Sequence, residues 1–551
     1  MSDRTSPIHA VTNQAPPLEE YDLYAADTVL RQAVGRQGGD WADDELHEVG
    51  RRAGSAECIA WGYAANRFPP ELRAFDRYGD RIDEVEFHPT WHQLLSFAVE
   101  HGMHGTPWAA ARPGAHVART AAFYLWSQVE SGHGCPVSMT YASVPTLRHQ
   151  GELAAVWEPL AESRRYDPGL RPVSDKAGVL LGMAMTERQG GSDVRANITT
   201  AAPDDGAGPG ARYRLTGHKW FCSAPMCDAF LVLAQAPGGL SCFLMPRVLP
   251  DGSRNAMHLA RLKDKLGNRS NASAEIELHG ASAFLVGEEG RGVRTIVDMV
   301  NCTRLDCVTG SAALMRQALM QALHHARYRH AFGRRLVEQP LMANVLTDLA
   351  LESEAATSLM VRLAGAADRA DGDEQEERLR RIGTAVGKYW VCKRTPPMVG
   401  EALECLGGNG YVEESVMPRL LREAPLNSIW EGSGNVNALD VLRAAAKEPG
   451  VVDALFSEVG EAGGSDRRLD DHVAALRKEL DDGTDLEYRA RRLVEAMALA
   501  LQGSLLVRFA PTAVADAFCA SRLGGDGGHA FGTLPPGVDC DAVLDRVAPG
   551  L

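Results

Sequence analysis

One acidic residue in the C-terminal half of the chain has surroundings that suit proton transfer. Glu431 lies in the segment IWEGSGN (429–435), between an aromatic side chain and a Gly-Ser-Gly turn. A carboxylate next to apolar surface has a raised pKa and can act as a base. An ordinary turn residue would look the same without further context, so Glu431 is a candidate whose role depends on what surrounds it.

Two segments in the middle of the chain could bind a phosphorylated or planar ligand. The segment GMAMTERQGGSDVRANITT (182–200) combines hydroxyl side chains with flexible backbone. Such a loop can donate N–H and O–H groups to a pyrophosphate or to a flavin edge, although a Gly- and Ser-rich hairpin turn has the same composition. In GHKWFCSAP (217–225), Trp220 and Phe221 could stack on a planar ring or pack in a core.

Positive charge is concentrated between residues 291 and 335. This stretch holds eight arginines, no lysine and only two acids, a local charge of +6 in a chain whose net charge is −15. The guanidinium group of an arginine can donate two parallel hydrogen bonds to two oxygens of one phosphate. The pattern favours phosphate binding over a simple solvated helix face.

The sequence lacks the motifs of several common metal-binding, hydrolase and nucleotide-binding sites. His88 and His92 are four residues apart, but a proline separates them and the glutamate of a zinc-hydrolase helix is missing. The cysteines form no C-x-x-C pair. There is also no G-x-S-x-G, no Walker A sequence and no G-x-G-x-x-G after a strand. We therefore predict no metal site, and no hydrolase, NTPase or dinucleotide-binding loop of those types.

Length and composition indicate a globular protein of three or four domains. The chain has 551 residues, of which 45% are hydrophobic and 23% are charged, values that exclude disorder and small disulfide scaffolds. The acidic net charge excludes a uniformly basic nucleic-acid binder. An odd number of cysteines, 11, and a polar N-terminal segment without a signal-peptide pattern predict a reduced, cytoplasmic setting. The most apolar run, AMALALQGSLLV, is too short to span a bilayer, so we predict no membrane contact.

The elements that must position these residues change character along the chain. A Pro-rich arm precedes helical patterns up to about residue 175, short β-rich runs follow, and amphipathic helical spacing resumes after 290. The segment KEPGV (447–451) separates a last helical block from the bundle. We predict a mainly α fold with a middle β domain and the domains 1–178, 179–290, 291–448 and 449–551. Strands and helices do not alternate, which disfavours a Rossmann fold.

Together the motifs and their order resemble the acyl-CoA dehydrogenase superfamily, and within it the AidB branch, flavoproteins of the adaptive response to DNA alkylation. The resemblance runs nearly end to end and rests on the blocks PPELRAFDRYGDRIDEVEFHPTWHQL, MTERQGGSDV, GHKWFCSAP, RLKDKLGNRSNASAEIEL, RYRHAFGRRLVEQPLM, LGG and NSIWEGSGNVNALDVLR. It implies a helical domain, a β-barrel-like domain and a helical bundle, here followed by an appended C-terminal helical domain.

The resemblance also implies FAD as the cofactor. Residues similar to those that contact the isoalloxazine and pyrophosphate are Met183, Met185, Thr186, Gly191 and Ser192, with Phe221 and Ser223 covering the flavin from the next strand. Residues similar to those that reach the adenosine half of FAD in a neighbouring subunit are Arg329, Phe332, Gln339, Gly407 and Gly408. The segment that closes over the cofactor contributes Ile429, Trp430, Gly432, Ser433 and Asn435. A site shared in this way implies an oligomer, expected to be a homotetramer.

By the same resemblance, Glu431 matches the carboxylate that removes the α-proton of an acyl thioester. A base on one side of the Cα–Cβ bond and the flavin on the other let the proton and the hydride leave from opposite faces. One branch of the family carries this glutamate on a helix before an arginine, where this chain has Thr303 before Arg304. Glu431 is thus the one matching base, and Arg304 is a candidate substrate contact. The chain departs from the common Trp-x-Thr of the second flavin strand, since it has Phe221-Cys222-Ser223 there.

The resemblance leaves two functions open. The first is FAD-dependent dehydrogenation of an acyl-CoA or similar thioester. The alternative is a flavoprotein that binds duplex DNA without reading its sequence, and protects or processes alkylated bases. Its candidate contacts are Arg443, Arg489, Arg491 and Arg492. Because residues 449–551 carry a net charge of −7 (10 basic against 17 acidic residues), any DNA binding should be weak, with a slope of log K against log salt of roughly −3 to −5. These arginines could equally pair with the acids of their own domain.

Overall fold

The N-terminal part of the chain is helical except for one hairpin. The computed structural model describes residues 11–549; residues 1–10 of the predicted arm lie outside the described residues. The helices of this part are α1 (Thr28–Arg36), α2 (Asp43–Ala53), α3 (Ala56–Arg67), α4 (Pro89–Glu100), α5 (Thr106–Ala109), α6 (Ala115–Ser127), α7 (Gly134–Leu147) and α8 (Gly151–Ala161). Helix α6 is buried on almost every face and forms the centre of this part.

An antiparallel hairpin between α3 and α4 was missed by the sequence analysis, which predicted helical structure throughout. Strands β1 (Glu71–Phe75) and β2 (Arg81–Glu86) pair across a turn that contains Gly79 in the left-handed region, at φ +91°. Each strand has only five or six residues, most of them charged. Such short runs have little hydrophobic alternation by which a strand could be recognised.

The middle of the chain forms one seven-stranded sheet that closes on itself. Its strands are β3 (Leu181–Ala184), β4 (Thr200–Asp205), β5 (Arg212–Ser223), β6 (Ala229–Ala236), β7 (Gly239–Pro246), β8 (Met257–Leu262) and β9 (Ser273–Val286). The order is β3-β6-β4-β5-β9-β7, and the additional pairing of β6 with β7 closes a ring of five strands. β3 and β8 are attached to this ring through β6 and β9. Closure removes most free strand edges from the domain.

Strand β5 joins two runs that the sequence analysis treated as separate. Gly217 lies in its middle at φ +152°, and a Cβ there would approach the side chain of Thr199 to within 2.6 Å. A glycine therefore allows the strand to continue where a larger residue would break it. This continuity places Phe221 and Ser223 at the end of the same strand that pairs with β9.

Three long helices form the bundle that follows the sheet. They are α9 (Gly292–Tyr328), α10 (Pro340–Arg369) and α11 (Glu374–Cys405), and each packs against the other two. A two-residue hairpin, β10 (His330–Ala331) with β11 (Arg334–Arg335), separates α9 from α10. The bundle ends with α12 (Gly408–Tyr411), α13 (Met417–Glu423) and α14 (Gly434–Lys447). Glu431 lies in the loop before α14.

The appended helices pack directly on the bundle. They are α15 (Val451–Gly460), α16 (Arg467–Asp481), α17 (Leu486–Phe509), α18 (Thr512–Phe518) and α19 (Cys540–Val547). Helix α17 contacts α10, α11 and α14. Helix α19, within the Gly- and Pro-rich end of the sequence, was not predicted. The predicted fold class, mainly α with a middle β domain, is confirmed.

Candidate active site

The half-buried carboxylate of Glu431, in the loop before α14, faces α9. Its Oε2 accepts a hydrogen bond of 2.7 Å from the hydroxyl of Thr303 on α9. Burial raises the pKa of Glu431 above its ordinary value, and the Thr303 hydrogen bond and the charges of Lys388 and Arg304 oppose that rise without cancelling it. A general base is most effective when its pKa lies near the working pH. The site therefore moves this carboxyl in the direction that proton abstraction needs.

The backbone of this loop is strained and is held by two cations. Glu431 has φ +57° and the next residue, Gly432, has φ +96°; a non-glycine residue in this region costs energy that its surroundings must offset. The ammonium of Lys388 on α11 donates to the carbonyls of Trp430 at 2.8 Å and Gly432 at 2.5 Å. Arg304 donates from Nε to the carbonyl of Glu431 at 3.1 Å. Three consecutive carbonyls are thus fixed by side chains from two different helices.

Arg304, which the sequence predicted as a substrate contact, is bound by other groups of the chain. Its Nη1 forms an ion pair of 2.7 Å with Asp440 on α14, and Arg381 on α11 binds the same carboxylate. Both side chains of the Arg304–Asp440 pair are close to fully buried. Because its guanidinium already binds Asp440 and the Glu431 carbonyl, we assign Arg304 to positioning of the loop.

The loop that follows β3 is organised by a buried ion pair. The ammonium of Lys219 on β5 is fully buried and bonds Glu187 at 2.7 Å. Glu187 in turn accepts hydrogen bonds from the N–H groups of Ile198 and Thr199. This carboxylate closes the segment 187–199 into a loop, so that Gly191 and Ser192 lie at its exposed rim.

Thr186 and Gly191 lie against each other in this loop. A Cβ at Gly191 would meet the hydroxyl of Thr186 at 2.5 Å, so only glycine fits there. The backbone N–H of Trp220 donates a hydrogen bond of 2.8 Å to the carbonyl of Thr186, and this bond joins the loop to β5. Met183 and Met185 are half-buried on the same segment. The structure therefore brings together the predicted flavin loop and the predicted flavin strand.

The end of β5 presents a ring and a hydroxyl side by side. Phe221 is 47% exposed, an unusual state for a phenylalanine. The ammonium of Lys263 lies over the ring of Trp220 at 3.4 Å and near that of Phe221 at 4.8 Å. The hydroxyl of Ser223 lies 3.3 Å from that of Ser273 on β9.

Cys135 on α7 lies between this strand and Glu431, and the sequence analysis did not select it. Burial raises the pKa of its thiol to about 12, and the polar groups that act on it include Asn271, Lys265, Glu431 and Ser223. The thiol therefore remains protonated at neutral pH and acts as a small apolar group in the wall of the site.

The residues predicted to hold the nucleotide half of FAD form a separate, exposed group. Phe332 lies at the tip of the β10–β11 hairpin with φ +51° and is 98% exposed. Gln339 fixes the hairpin by donating to the carbonyl of Ala331 at 3.0 Å. Arg329 lies at the end of α9, while Gly407 and Gly408 lie at the start of α12. In the described part of the chain, no hydrogen bond joins this group to Glu431.

The remaining residues of the closing segment have mixed surroundings. Ile429 is exposed, whereas the indole of Trp430 donates to Asn427 at 2.9 Å. Ser433 precedes the first residue of α14. The side-chain oxygen of Asn435 accepts from Arg491 of α17 at 2.8 Å, so the appended domain touches this segment directly.

The four arginines predicted to contact DNA are already engaged within the chain. Arg489 donates to the carbonyls of Thr484, Glu479 and Asp482 and so caps the end of α16. Arg491 binds Asn435, and Arg492 pairs with Glu479 at 2.8 Å. Arg443 lies 3.5 Å from Asp440. Arg443, Arg491 and Arg492 are exposed, whereas Arg489 is half-buried. DNA contact through this group stays a prediction.

Three of the arginines in the positive stretch 291–335 also form ion pairs within the chain. Arg304 pairs with Asp440, Arg316 with Asp27, and Arg335 with Glu338.

Among residues 11–549, no group of three or more His, Cys, Asp or Glu side chains suits a metal ion. In the same range no helix has the length and apolarity required to cross a membrane.

Comparison with known proteins shows the family to which the chain belongs. Three family models match it: the N-terminal domain of the adaptive response protein AidB over residues 13–168, the acyl-CoA dehydrogenase middle domain over 182–281, and the acyl-CoA dehydrogenase C-terminal domain over 290–446.

Relatives and solved structures agree with these models. The chain is 47% identical to the acyl-CoA dehydrogenase AidB of Escherichia coli (strain K12) over 94% of its own length and 95% of the relative's. The crystal structure of Caenorhabditis elegans ACDH-11 in complex with C11-CoA is 26% identical and superimposes with a TM-score of 0.83, covering 99% of this chain and 95% of that one. An acyl-CoA dehydrogenase from Bacillus anthracis, complexed with FAD, shares the fold at 16% identity, with a TM-score of 0.66 and coverage of 97% and 91%. The chain therefore belongs to the acyl-CoA dehydrogenase family, and within it to the AidB-like branch.

Proposed function

We propose that this protein is an FAD-dependent oxidoreductase that introduces a double bond between Cα and Cβ of an acyl thioester, with Glu431 as the base. The observation that carries the proposal is the environment of Glu431. Its carboxylate is half-buried, its pKa is raised, and Thr303, Lys388 and Arg304 hold it on a strained loop. A turn residue without function would not require such support.

The residues of the loop after β3 and of the end of β5 fit a flavin. An isoalloxazine ring needs an apolar contact surface together with hydrogen-bond partners at its edge. The half-exposed ring of Phe221 and the methionines Met183 and Met185 offer the first, while the hydroxyls of Thr186 and Ser223 offer the second. The exposed loop around Gly191 and Ser192 would hold the pyrophosphate through its N–H groups. When bound, FAD supplies the acceptor for the hydride that leaves Cβ.

The chain's own residues carry the other half of the reaction. A carboxylate oxygen of Glu431 takes the proton from Cα, and the electron pair left there forms the double bond as the hydride departs from Cβ. Thr303 orients the carboxylate through its other oxygen.

An acyl-CoA thioester is the substrate class that the relatives support. The solved ACDH-11 structure contains an acyl-CoA with the label C11-CoA, and this chain resembles it over nearly its full length.

We further propose that the functional form is a homotetramer. Phe332 at 98%, Leu341 at 82% and Tyr411 at 78% are large apolar side chains that a single chain leaves in water. They belong to the elements whose motifs reach a neighbouring subunit's FAD in the family. A second copy that covers them would bury this apolar surface and complete the cofactor site.

The test is anaerobic flavin reduction by a panel of acyl-CoA thioesters. Purified protein should show a flavin absorbance band with about one FAD per chain, or take up FAD when it is added. At least one thioester should bleach that band, with the enoyl thioester as product. Protein that binds no FAD, or a flavin that no thioester reduces, would contradict the proposal.

A further inference from the structure

The N-terminal arm crosses the surface of the bundle and makes a specific contact there. The side-chain amide of Asn13 donates to the carbonyl of His330 at 2.8 Å, and its oxygen accepts from the His330 N–H at 2.7 Å. Asn13 has φ +57°, a conformation that asparagine tolerates better than most residues. The side-chain amide of Asn13 therefore pairs with both backbone groups of His330, as the backbone of a neighbouring β-strand would. The two residues are 317 positions apart in sequence.

The same short segment reaches a second motif and an arginine. Arg329 donates from its guanidinium to the carbonyl of Asn13, and His324 interacts with the carbonyl of Pro16 at 2.8 Å. Gln14 accepts from the side-chain amide of Asn409 at 3.1 Å. Because Asn13 and Gln14 are consecutive, their contacts place the hairpin and the glycine motif at 407–409 next to each other.

The position of these contacts matters more than their contribution to stability. Residues 11–14 are exposed, and hydrogen bonds in water contribute little to folding. Yet the arm bonds the two elements that carry the motifs assigned above to the nucleotide half of FAD. The arm also orients the guanidinium of Arg329. This cation lies beside the same elements and is suited to binding a pyrophosphate or phosphate.

We propose that Asn13 is a positioning residue for the cofactor: through His330 and Arg329 it holds the β10–β11 hairpin in the conformation that receives the adenosine diphosphate half of FAD from a neighbouring subunit. Residues 11–16 then act as a strap that completes the FAD site. The inference rests on the proposed FAD function, and it adds a cofactor-site element that precedes the first helix.

The test compares three single variants for FAD affinity after removal of the native flavin. Asn13→Gly keeps the φ that the arm requires and the carbonyl that Arg329 binds, but removes both hydrogen bonds to His330. Asn13→Asp keeps the acceptor and loses the donor. Thr12→Gly changes an exposed neighbour that makes no side-chain hydrogen bond within residues 11–549, and it is the matched control.

We expect Asn13→Gly to raise the dissociation constant of FAD about tenfold, as the loss of two hydrogen bonds of ordinary net strength predicts. Asn13→Asp should lie between this variant and the wild type, and Thr12→Gly should match the wild type. The unfolding temperature of the flavin-free protein should be the same in all four.

Three results would overturn the assignment. One is equal FAD affinity in Asn13→Gly and wild type. Another is a fall in the unfolding temperature of flavin-free Asn13→Gly, which would indicate a structural role only. If the wild type itself takes up no FAD, the proposed function fails along with the strap, whereas normal uptake with unchanged Asn13 variants overturns the strap alone.

Discussion

At the scale of single residues, the chemistry depends on how the environment of Glu431 balances opposing effects. Burial raises the pKa of the carboxyl, while the Thr303 hydroxyl stabilises its ionised form. Thr303, at the helix position where one branch of the family carries its glutamate, donates a hydrogen bond to the proposed base. This arrangement raises the pKa of a half-buried carboxylate and fixes its orientation.

The first prediction concerns this hydroxyl. Thr303→Val removes the hydrogen bond that lowers the pKa of Glu431, so that the pKa rises further. Because the base must be ionised, the rate of flavin reduction by a thioester should reach its plateau at a higher pH than in the wild type. Below that plateau the variant should be slower, and at high pH the two rates should converge.

The measurement is the pH dependence of the single-turnover reduction rate. Thr309→Val is a suitable control, since Thr309 is buried on the same helix and donates only to the carbonyl of Leu305 at 3.0 Å. A Thr303→Val profile that coincides with the wild-type profile would show that this hydrogen bond does not act on the base.

At the scale of elements, the catalytic loop is held by helices that are far from it in sequence. Lys388 on α11 and Arg304 on α9 bind three consecutive carbonyls of the loop. Without these donors, buried carbonyls would lose their partners and the strained φ of Glu431 would lose its support.

The second prediction follows for Lys388→Met. The variant should retain FAD but reduce it about 10²-fold more slowly, because a shift of about 1 Å in a catalytic group has an effect of that size. Its free energy of unfolding should fall by about 1.5–3 kcal/mol. Stopped-flow reduction and denaturant titration measure the two effects, with the exposed Lys447→Met as control. Native values for both quantities would refute the role given to Lys388.

The third prediction separates two arginines of the appended domain. Arg489 donates to three backbone carbonyls at the end of α16, so Arg489→Ala should destabilise the protein by about 1–3 kcal/mol. Arg492 is largely exposed and pairs with Glu479, so Arg492→Ala should leave the stability of the protein almost unchanged. Thermal unfolding distinguishes the two, and equal effects would contradict this reading of the structure.

At the scale of the whole molecule, ion pairs join the appended helices to the bundle. Glu458 on α15 binds Arg362 of α10 at 2.7 Å and Arg508 of α17 at 2.9 Å, and Arg362 also binds Glu376 of α11. Burial opposes ionisation of Glu458, but its arginine partners hold its pKa below the ordinary value. One carboxylate thus connects the bundle to two helices of the appended domain.

The fourth prediction uses this linkage. Since the pKa of Glu458 is lower in the folded than in the unfolded protein, its contribution to stability is present above the unfolded value and is lost as the pH falls below it. Glu458→Gln should therefore be less stable than the wild type by about 3–5 kcal/mol at pH 7, and the difference should shrink only when the pH falls below the ordinary glutamate pKa and through the lowered pKa of Glu458. Denaturant titrations at several pH values measure this, with the exposed Glu461→Gln as control. A difference that does not change with pH would contradict the linkage.

The sequence predicted the fold class and the main groups of residues because these depend on local patterns. Helical spacing, strand composition and the long motifs around Glu431 and Thr186 are readable without structure. The residues that hold the site in place cannot be predicted in this way. Lys388, Asp440 and Cys135 lie on other helices, and no spacing in the sequence relates them to the loop. The partners of Arg304 could not be predicted for the same reason, since Asp440 lies on another helix.

The measurement that tests the account most directly is anaerobic flavin reduction by an acyl-CoA thioester in wild type and in Glu431→Gln. The variant keeps the size and shape of the side chain and should bind FAD normally, but it cannot accept the α-proton. We predict that its reduction rate falls by about 10²–10⁴-fold. Reduction of the variant's flavin at the wild-type rate would show that another group is the base and would contradict the central claim.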